Sequence, residues 1–190
     1  MSELTITHNG VAQTAKAGSN LKKGVIKRIT PTVLAGNTAV DDTVFATIEI
    51  PNAVREKGGV SVIHAITLLS YDGEGHDLSL IFMGENLSLG NAGDAFDIGS
   101  KSNSKSGKIL GAVKIDWTDA QVNAKSSATD TLIFTTSGFT GVGADRNMFP
   151  LMIQAEPDST SIFMTGIAVE AFDFAAVDDL EILLHIEYLD

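Results

Sequence analysis

Residues 179–190, with the sequence DLEILLHIEYLD, decide the fold class of this chain. Apolar side chains occupy every second position from Leu180 to Tyr188, and two glutamates and a histidine stand among the positions between them. Because successive side chains of a β-strand point to opposite faces of a sheet, this alternation predicts a half-buried strand. One face of such a strand packs on a core and the other meets water, as is common in antiparallel sheets.

Further segments show the same period of two, or a run of the β-branched and aromatic residues that strands favour. They predict strands over residues 24–34, 43–50, 60–71, 77–83, 109–117, 131–135, 151–155 and 161–174. Pro31 restricts the first of these to an edge or a bend. Residues 60–71 are apolar on both faces, which indicates a central strand. In 109–117, Ile109 is expected to share one face with Val113, Ile115 and Trp117.

Many short strands without a long amphipathic helix predict an all-β fold. At 190 residues, the leading expectation is one jelly-roll-like antiparallel β-sandwich of about eight to ten strands with an extended N-terminal arm. We expect residues 1–40 to hold this arm and the first strand, and 41–190 to form the jelly-roll body. The serine- and lysine-rich stretch 99–108 is expected to be a polar loop, and its order is left open.

Charge is distributed unevenly along the chain. The whole sequence has 24 acidic and 13 basic residues, a formal net charge of −11. Residues 1–40 contain one acid and five bases, a net of +4, and residues 41–190 contain 23 acids and eight bases, a net of −15. The acidic excess argues against nucleic-acid or anionic-membrane binding. The basic residues are predicted to dock on a partner protein, or else are solvated residues near a terminus; they are Lys16, Lys22, Lys23, Lys27 and Arg28.

The chain has no cysteine, which excludes disulfides, thiolate metal sites and a cysteine nucleophile. It therefore suits synthesis in a reducing cytosol. The first residues lack the charged and apolar regions of a signal peptide, so none is expected. No apolar run approaches the ~20 residues that a membrane-spanning helix needs.

The four histidines, His8, His64, His76 and His185, have no spacing typical of a zinc site. We expect His64 to be a structural histidine and His76, which follows a glycine in a loop, to be solvated. Residues 72–77 contain three acids and could in principle bind calcium, but they lack the register of an EF-hand. A polar hairpin loop is the preferred interpretation there, and calcium binding is left open.

The motifs of common enzyme classes are incomplete in this sequence. Glu49, Glu85 and Glu170 could contribute to a glycosidase pair, but the chain has one tryptophan and two tyrosines with which to line a sugar cleft. The glycine-rich residues 138–143 lack the lysine of a phosphate-binding loop, and no G-x-S-x-G elbow occurs. We therefore predict a non-enzymatic protein with no cofactor, no metal site and no catalytic residue.

A glycine-led apolar strand (GGVSVIHAITLL, 58–69) is followed by an Asp/Gly turn, the strand DLSLIF (77–82), then AFDI (95–98) and ILGAV (109–113). In the order of their strands and in their residue pattern, residues 55–190 resemble small decoration, or cement, proteins of tailed-bacteriophage capsids. The resemblance implies a β-sandwich homotrimer bound to the major capsid protein on the outer capsid surface, made in the bacterial cytoplasm. It brings no catalytic residues, and it does not cover the basic N-terminal segment.

The leading functional hypothesis is therefore a structural virion protein that cements a phage capsid. Capsid contact by the basic N-terminal residues is inferred from their charge alone. The alternative is a recognition module of a head or tail fibre that binds glycans on a host surface. That alternative requires exposed aromatic side chains grouped on loops, for which Trp117 and two tyrosines are few.

Overall fold

A computed structural model describes residues 3–8, 11–16, 24–99, 105–117, 122–125, 132–137 and 149–189. Within these ranges the chain forms strands and one short 3-10 turn, η1 (Ser106–Lys108), and no α-helix. The strands are β1 Glu3–His8, β2 Val11–Lys16, β3 Gly24–Ile29, β4 Gly36–Thr38, β5 Thr43–Ile50, β6 Val60–Ser70, β7 Leu78–Met83, β8 Ile109–Ile115, β9 Val122–Lys125, β10 Leu132–Ser137, β11 Leu151–Gln154, β12 Ile162–Ala168, β13 Phe172–Phe174 and β14 Leu180–Tyr188. In the described part of the chain, no helix has the length and apolar character needed to cross a membrane.

Two antiparallel sheets form the body. The six-stranded sheet has the order β3-β14-β6-β10-β9, with β11 also paired to β6. The four-stranded sheet has the order β5-β12-β7-β8. The strands β4 and β13 form a small sheet of their own, and β1 pairs with β2 as a hairpin. All of these strand pairs are antiparallel.

The strand order is that of a jelly roll, in which the chain alternates between two sheets of four strand positions. The strands β10 and β11 pair with successive halves of β6, opposite 65–70 and 60–63, and together fill one position. The first sheet then reads β3, β14, β6 and β10/β11, with β9 added beyond β10, and the second reads β5, β12, β7 and β8. The all-β, jelly-roll prediction is confirmed.

One hydrophobic core lies between the two sheets. It is built from the inward-facing side chains of both, with Phe45, Phe82 and Leu80 among the fully buried ones. Each such side chain contributes about 1.5–3 kcal/mol when it leaves water. The alternation in residues 179–190 places one face of β14 on this core, since Leu180, Ile182, Leu184 and Ile186 are all buried in it.

A second, smaller cluster covers the outer face of the four-stranded sheet. Ile81 and Met83 of β7 point away from the main core and are buried against Leu89. The segment that carries Leu89 is tied to β5, because Thr47 Oγ1 donates to the carbonyl of Leu87 at 2.5 Å and the amide of Thr43 donates to the carbonyl of Asp94 at 2.8 Å. This sheet is therefore covered on both faces.

The structure also corrects two sequence predictions. The strand predicted over 161–174 is interrupted, because the chain leaves the four-stranded sheet after Ala168 and Phe172–Phe174 pairs with β4 instead. Ile109 packs with the outer cluster, whereas Val113 packs in the main core. The cause is a register shift between Phe82 and Met83, which moves Ile109 to the opposite face from the one expected. The predicted N-terminal arm contains the β1–β2 hairpin, which shares no sheet with another described strand.

Close packing at Gly166 gives a test of the core. A Cβ added there would lie 2.5 Å from Cε1 of the buried Phe45. We expect Gly166→Ala to destabilise the fold by about 1–3 kcal/mol and to lower Tm by roughly 3–10 °C. Gly107→Ala is the matched control, because no atom lies within 4 Å of its added Cβ. Equal thermal unfolding curves for the two variants would contradict this account of the packing.

Candidate functional site

The outer face of the six-stranded sheet carries a set of accessible side chains that share one surface. We call it the open face and define it by eight residues that alternate with core residues on paired strands. They are Ile26 of β3, His64 and Thr67 of β6, Thr135 of β10, Met152 of β11, and Leu183, His185 and Glu187 of β14. Ile26 is 56% and Met152 63% exposed, whereas the corresponding face of the other sheet buries Met83 and Leu89 completely.

A polar network runs across the open face. Nε2 of His64 lies 2.7 Å from Oε2 of Glu187, and both side chains are nearly half exposed. Nε2 of His185 lies 3.2 Å from Oγ1 of Thr67, and that hydroxyl lies 3.0 Å from Oγ1 of Thr135. Two imidazoles, one carboxylate and two hydroxyls are thus held on a rigid sheet.

The position of His64 follows from a β-bulge. In the pairing of β14 with β6, His185 is opposite Ala65 and Ile186 is opposite Ile63, so that His64 is the extra residue. The bulge turns His64 toward Glu187 of the neighbouring strand. A shallow depression of about 350 Å³ lies beside this pair. It is lined by Gly24, Val25, Ile26, His64, His185, Ile186 and Glu187.

A second ion pair lies farther along the same strands. Nη1 of Arg28 is 2.5 Å from Oε1 of Glu181, and the hydroxyl of Tyr71 donates to Oε2 of Glu181 at 2.6 Å. The hydrogen bond to Glu181 raises the pKa of Tyr71, and burial adds to this effect. Glu181 is buried, so its charge is balanced inside the protein by Arg28.

Of the predicted basic residues, Lys27 and Arg28 are the two whose side chains the structure describes. Lys27 and Arg28 are neighbours in β3 and point to opposite faces. Burial lowers the pKa of Lys27, and Arg28 is held by Glu181. Lys16 is the last residue of β2, and Lys22 and Lys23 lie outside the described residues.

A buried cluster at one end of the sandwich was missed by the sequence interpretation. His76 is 3% exposed, and its Nε2 lies 2.6 Å from Oδ2 of Asp72. Its ring stacks on Phe172 at 4.6 Å and meets Phe174 edge-on at 4.7 Å. The prediction of a solvated His76 is therefore wrong, because two aromatic rings of β13, about a hundred residues away in sequence, cover this loop.

The carboxylate of Asp72 is the centre of this cluster. Burial pushes its pKa upward, but hydrogen bonds from His76, Ser70 and the amide of Glu74 outweigh this and lower the pKa of Asp72. The carboxylate separates Ser70 from His76, whereas in a hydrolase triad the imidazole contacts the hydroxyl. The arrangement fixes a loop and does not prepare a nucleophile.

Each of the other sequence candidates has a partner of its own. Glu49 accepts a hydrogen bond from Ser161, Glu85 pairs with Lys108, and Glu170 accepts one from the amide of Asp77. In the 72–77 loop, Asp72 is occupied as described, and Asp77 accepts from the amide of Trp117 at 2.9 Å. Among the described residues, no group of three or more acidic, histidine or cysteine side chains is placed to hold a metal ion.

Comparisons with known proteins add little to this geometry. The sequence matches no protein-family model and no curated protein. A solved structure of infectious bursal disease virus, Gx strain, aligns with 97% of this chain at 11% identity and a TM-score of 0.16. The alignment covers 42% of the viral chain, so this chain spans less than half of its length.

The buried pair of Asp72 and His76 predicts that the stability of the fold depends on pH. Because the pKa of Asp72 is lowered in the folded protein, its carboxylate stabilises the fold above the ordinary aspartate pKa of about 3.9. That stabilisation is lost as the pH falls through the folded pKa. We expect Asp72→Asn to lower the free energy of unfolding by about 3 kcal/mol at pH 7. The difference from the parent protein should shrink between pH 5 and 2.

Denaturant unfolding at a series of pH values measures this difference. Glu74→Gln is the control, since it removes an exposed carboxylate from the same loop. A difference between parent and Asp72→Asn that stays constant down to pH 2 would show that the Asp72 charge does not stabilise the fold.

Proposed function

We propose that this chain is a non-enzymatic structural protein of a bacteriophage virion, which decorates the capsid by binding the major capsid protein. The observation that carries the proposal is the strand order, because the two-sheet jelly roll is an architecture that viral capsid proteins use. Its stiffness suits a protein that has to hold neighbouring shell subunits together.

The charge distribution supports attachment through the N-terminal segment. The segment before β3 contains three bases, Lys16, Lys22 and Lys23, and one acid, Glu3. It precedes a body with a strong negative charge. Its hairpin shares no sheet with a described strand of the body, so it is available to a partner. Attachment of many copies to one shell requires only modest affinity from each.

The arrangement of the polar side chains also supports a structural role. The acids of the two described clusters are engaged within the protein, Asp72 with His76 and Glu181 with Arg28. Such pairs hold strands and loops in place. The open face presents a sheet surface with a shallow depression, which fits a macromolecular partner better than a small substrate.

Deletion of residues 1–20 tests this proposal. We expect the truncated protein to lose binding to purified shells in a co-sedimentation assay, because the attachment segment is gone. Its melting curve should match that of the full chain, since the hairpin shares no sheet with the body. Unchanged occupancy of the shells by the truncated protein would contradict attachment through this segment.

Charge reversal separates the role of charge from the role of chain length. We expect the triple variant Lys16→Glu, Lys22→Glu and Lys23→Glu to bind shells at least tenfold more weakly and to lose the salt dependence of the parent protein. Lys57→Glu, in the loop between β5 and β6, is the matched control. Selective binding of a defined glycan, together with no binding to shells, would replace the proposal with glycan recognition.

A further inference from the structure

The outer faces of the two sheets differ in their exposure to solvent. The four-stranded sheet is covered by the segment around Leu89, which buries Ile81 and Met83. The open face of the six-stranded sheet has Ile26 and Met152 more than half exposed. An accessible face that combines apolar side chains with paired polar ones is typical of an interaction surface.

Charge restricts which partner this face can take. Residues 24–190 hold 23 acids and ten bases, a net of −13, so two copies of the chain repel each other over most of their surfaces. The outer side of the six-stranded sheet is an exception in its described part. It carries two carboxylates, of which Glu181 forms an ion pair with Arg28 and Glu187 is hydrogen-bonded to His64.

We propose that the open face binds the open face of a second copy of this chain. A contact between identical faces around a two-fold axis requires a surface that is complementary to itself. This face meets that requirement, because it carries hydrogen-bond acceptors and donors side by side in Glu187, His185 and Thr135. Exposed apolar side chains on both sides of this row, Ile26 and Met152, supply the area to be buried.

The size of the face sets the expected affinity. Four strand positions at about 4.8 Å and nine residues at about 3.3 Å give a face of roughly 19 Å by 30 Å. Two such faces bury on the order of 1,100 Å², which lies just below the ~1,200–2,000 Å² of stable interfaces and within the range of weak, transient ones. Self-association is therefore reversible, and the dissociation constant is expected to be micromolar.

Sedimentation velocity over a range of concentrations tests the proposal on the purified full chain. The parent protein forms a concentration-dependent dimer, and Ile26→Glu and Met152→Glu each raise the dissociation constant at least tenfold. Val40→Glu and Val177→Glu are the controls. These residues are similarly exposed, at 52% and 50%, and lie in loops away from the open face. The controls keep the dimer.

Cross-linking gives a second readout that does not depend on tolerating a charged residue. The natural chain has no cysteine, so Met152→Cys introduces a single thiol on the open face. A short bis-maleimide is expected to link this variant into covalent dimers, whereas Val40→Cys, which carries its thiol elsewhere, is not cross-linked under the same conditions.

A monomeric parent protein at hundreds of micromolar would overturn the proposal, as would an oligomer that persists in both Ile26→Glu and Met152→Glu. Loss of shell binding by these two variants, with a monomeric parent, would assign the open face to the capsid instead. The self-association measurement contains no shells, so its failure and the failure of the attachment proposal are distinguishable.

Discussion

The pairing of β14 with β6 is the constraint on which the rest of the structure depends. The last strand of the chain lies between the first strand of the body, β3, and the central strand, β6. It therefore joins segments that are distant in sequence, and it completes the core with four buried side chains. The same pairing contains the bulge that turns His64 toward Glu187, so the geometry of the open face is fixed by the closure of the sandwich.

The sandwich is asymmetric in the way it meets solvent. One outer face is covered by a segment of the same chain, whereas the other exposes Ile26 and Met152. Each of the two buried carboxylates has a structural role, since Asp72 fixes a loop and Glu181 pairs with Arg28. In a chain with a net charge of −11, the described outer side of the six-stranded sheet carries two carboxylates, and one of them is paired with Arg28. Repulsion between the acids elsewhere opposes unspecific aggregation.

Much of the fold could be predicted from residues 179–190 and 43–50, because alternation of side chains is a local property that the sequence displays directly. The burial of His76 could not, because it depends on Phe172 and Phe174 from a strand far away in sequence. The position of Ile109 depends on a bulge, for which Gly111 beside it is a weak local signal. The separation of Lys27 from Arg28 was predictable, since neighbouring residues of a strand point to opposite faces.

One strand position of the jelly roll is filled by two strands. Strand β10 ends with Ser137 opposite Ala65, and β11 begins with Leu151 opposite Ile63. The pairing with β6 therefore resumes two residues from where it stopped. The register on each side is set by β6 and not by the length of the connection. A change in the length of the sequence between these strands is therefore compatible with the same pairing of both strands to β6.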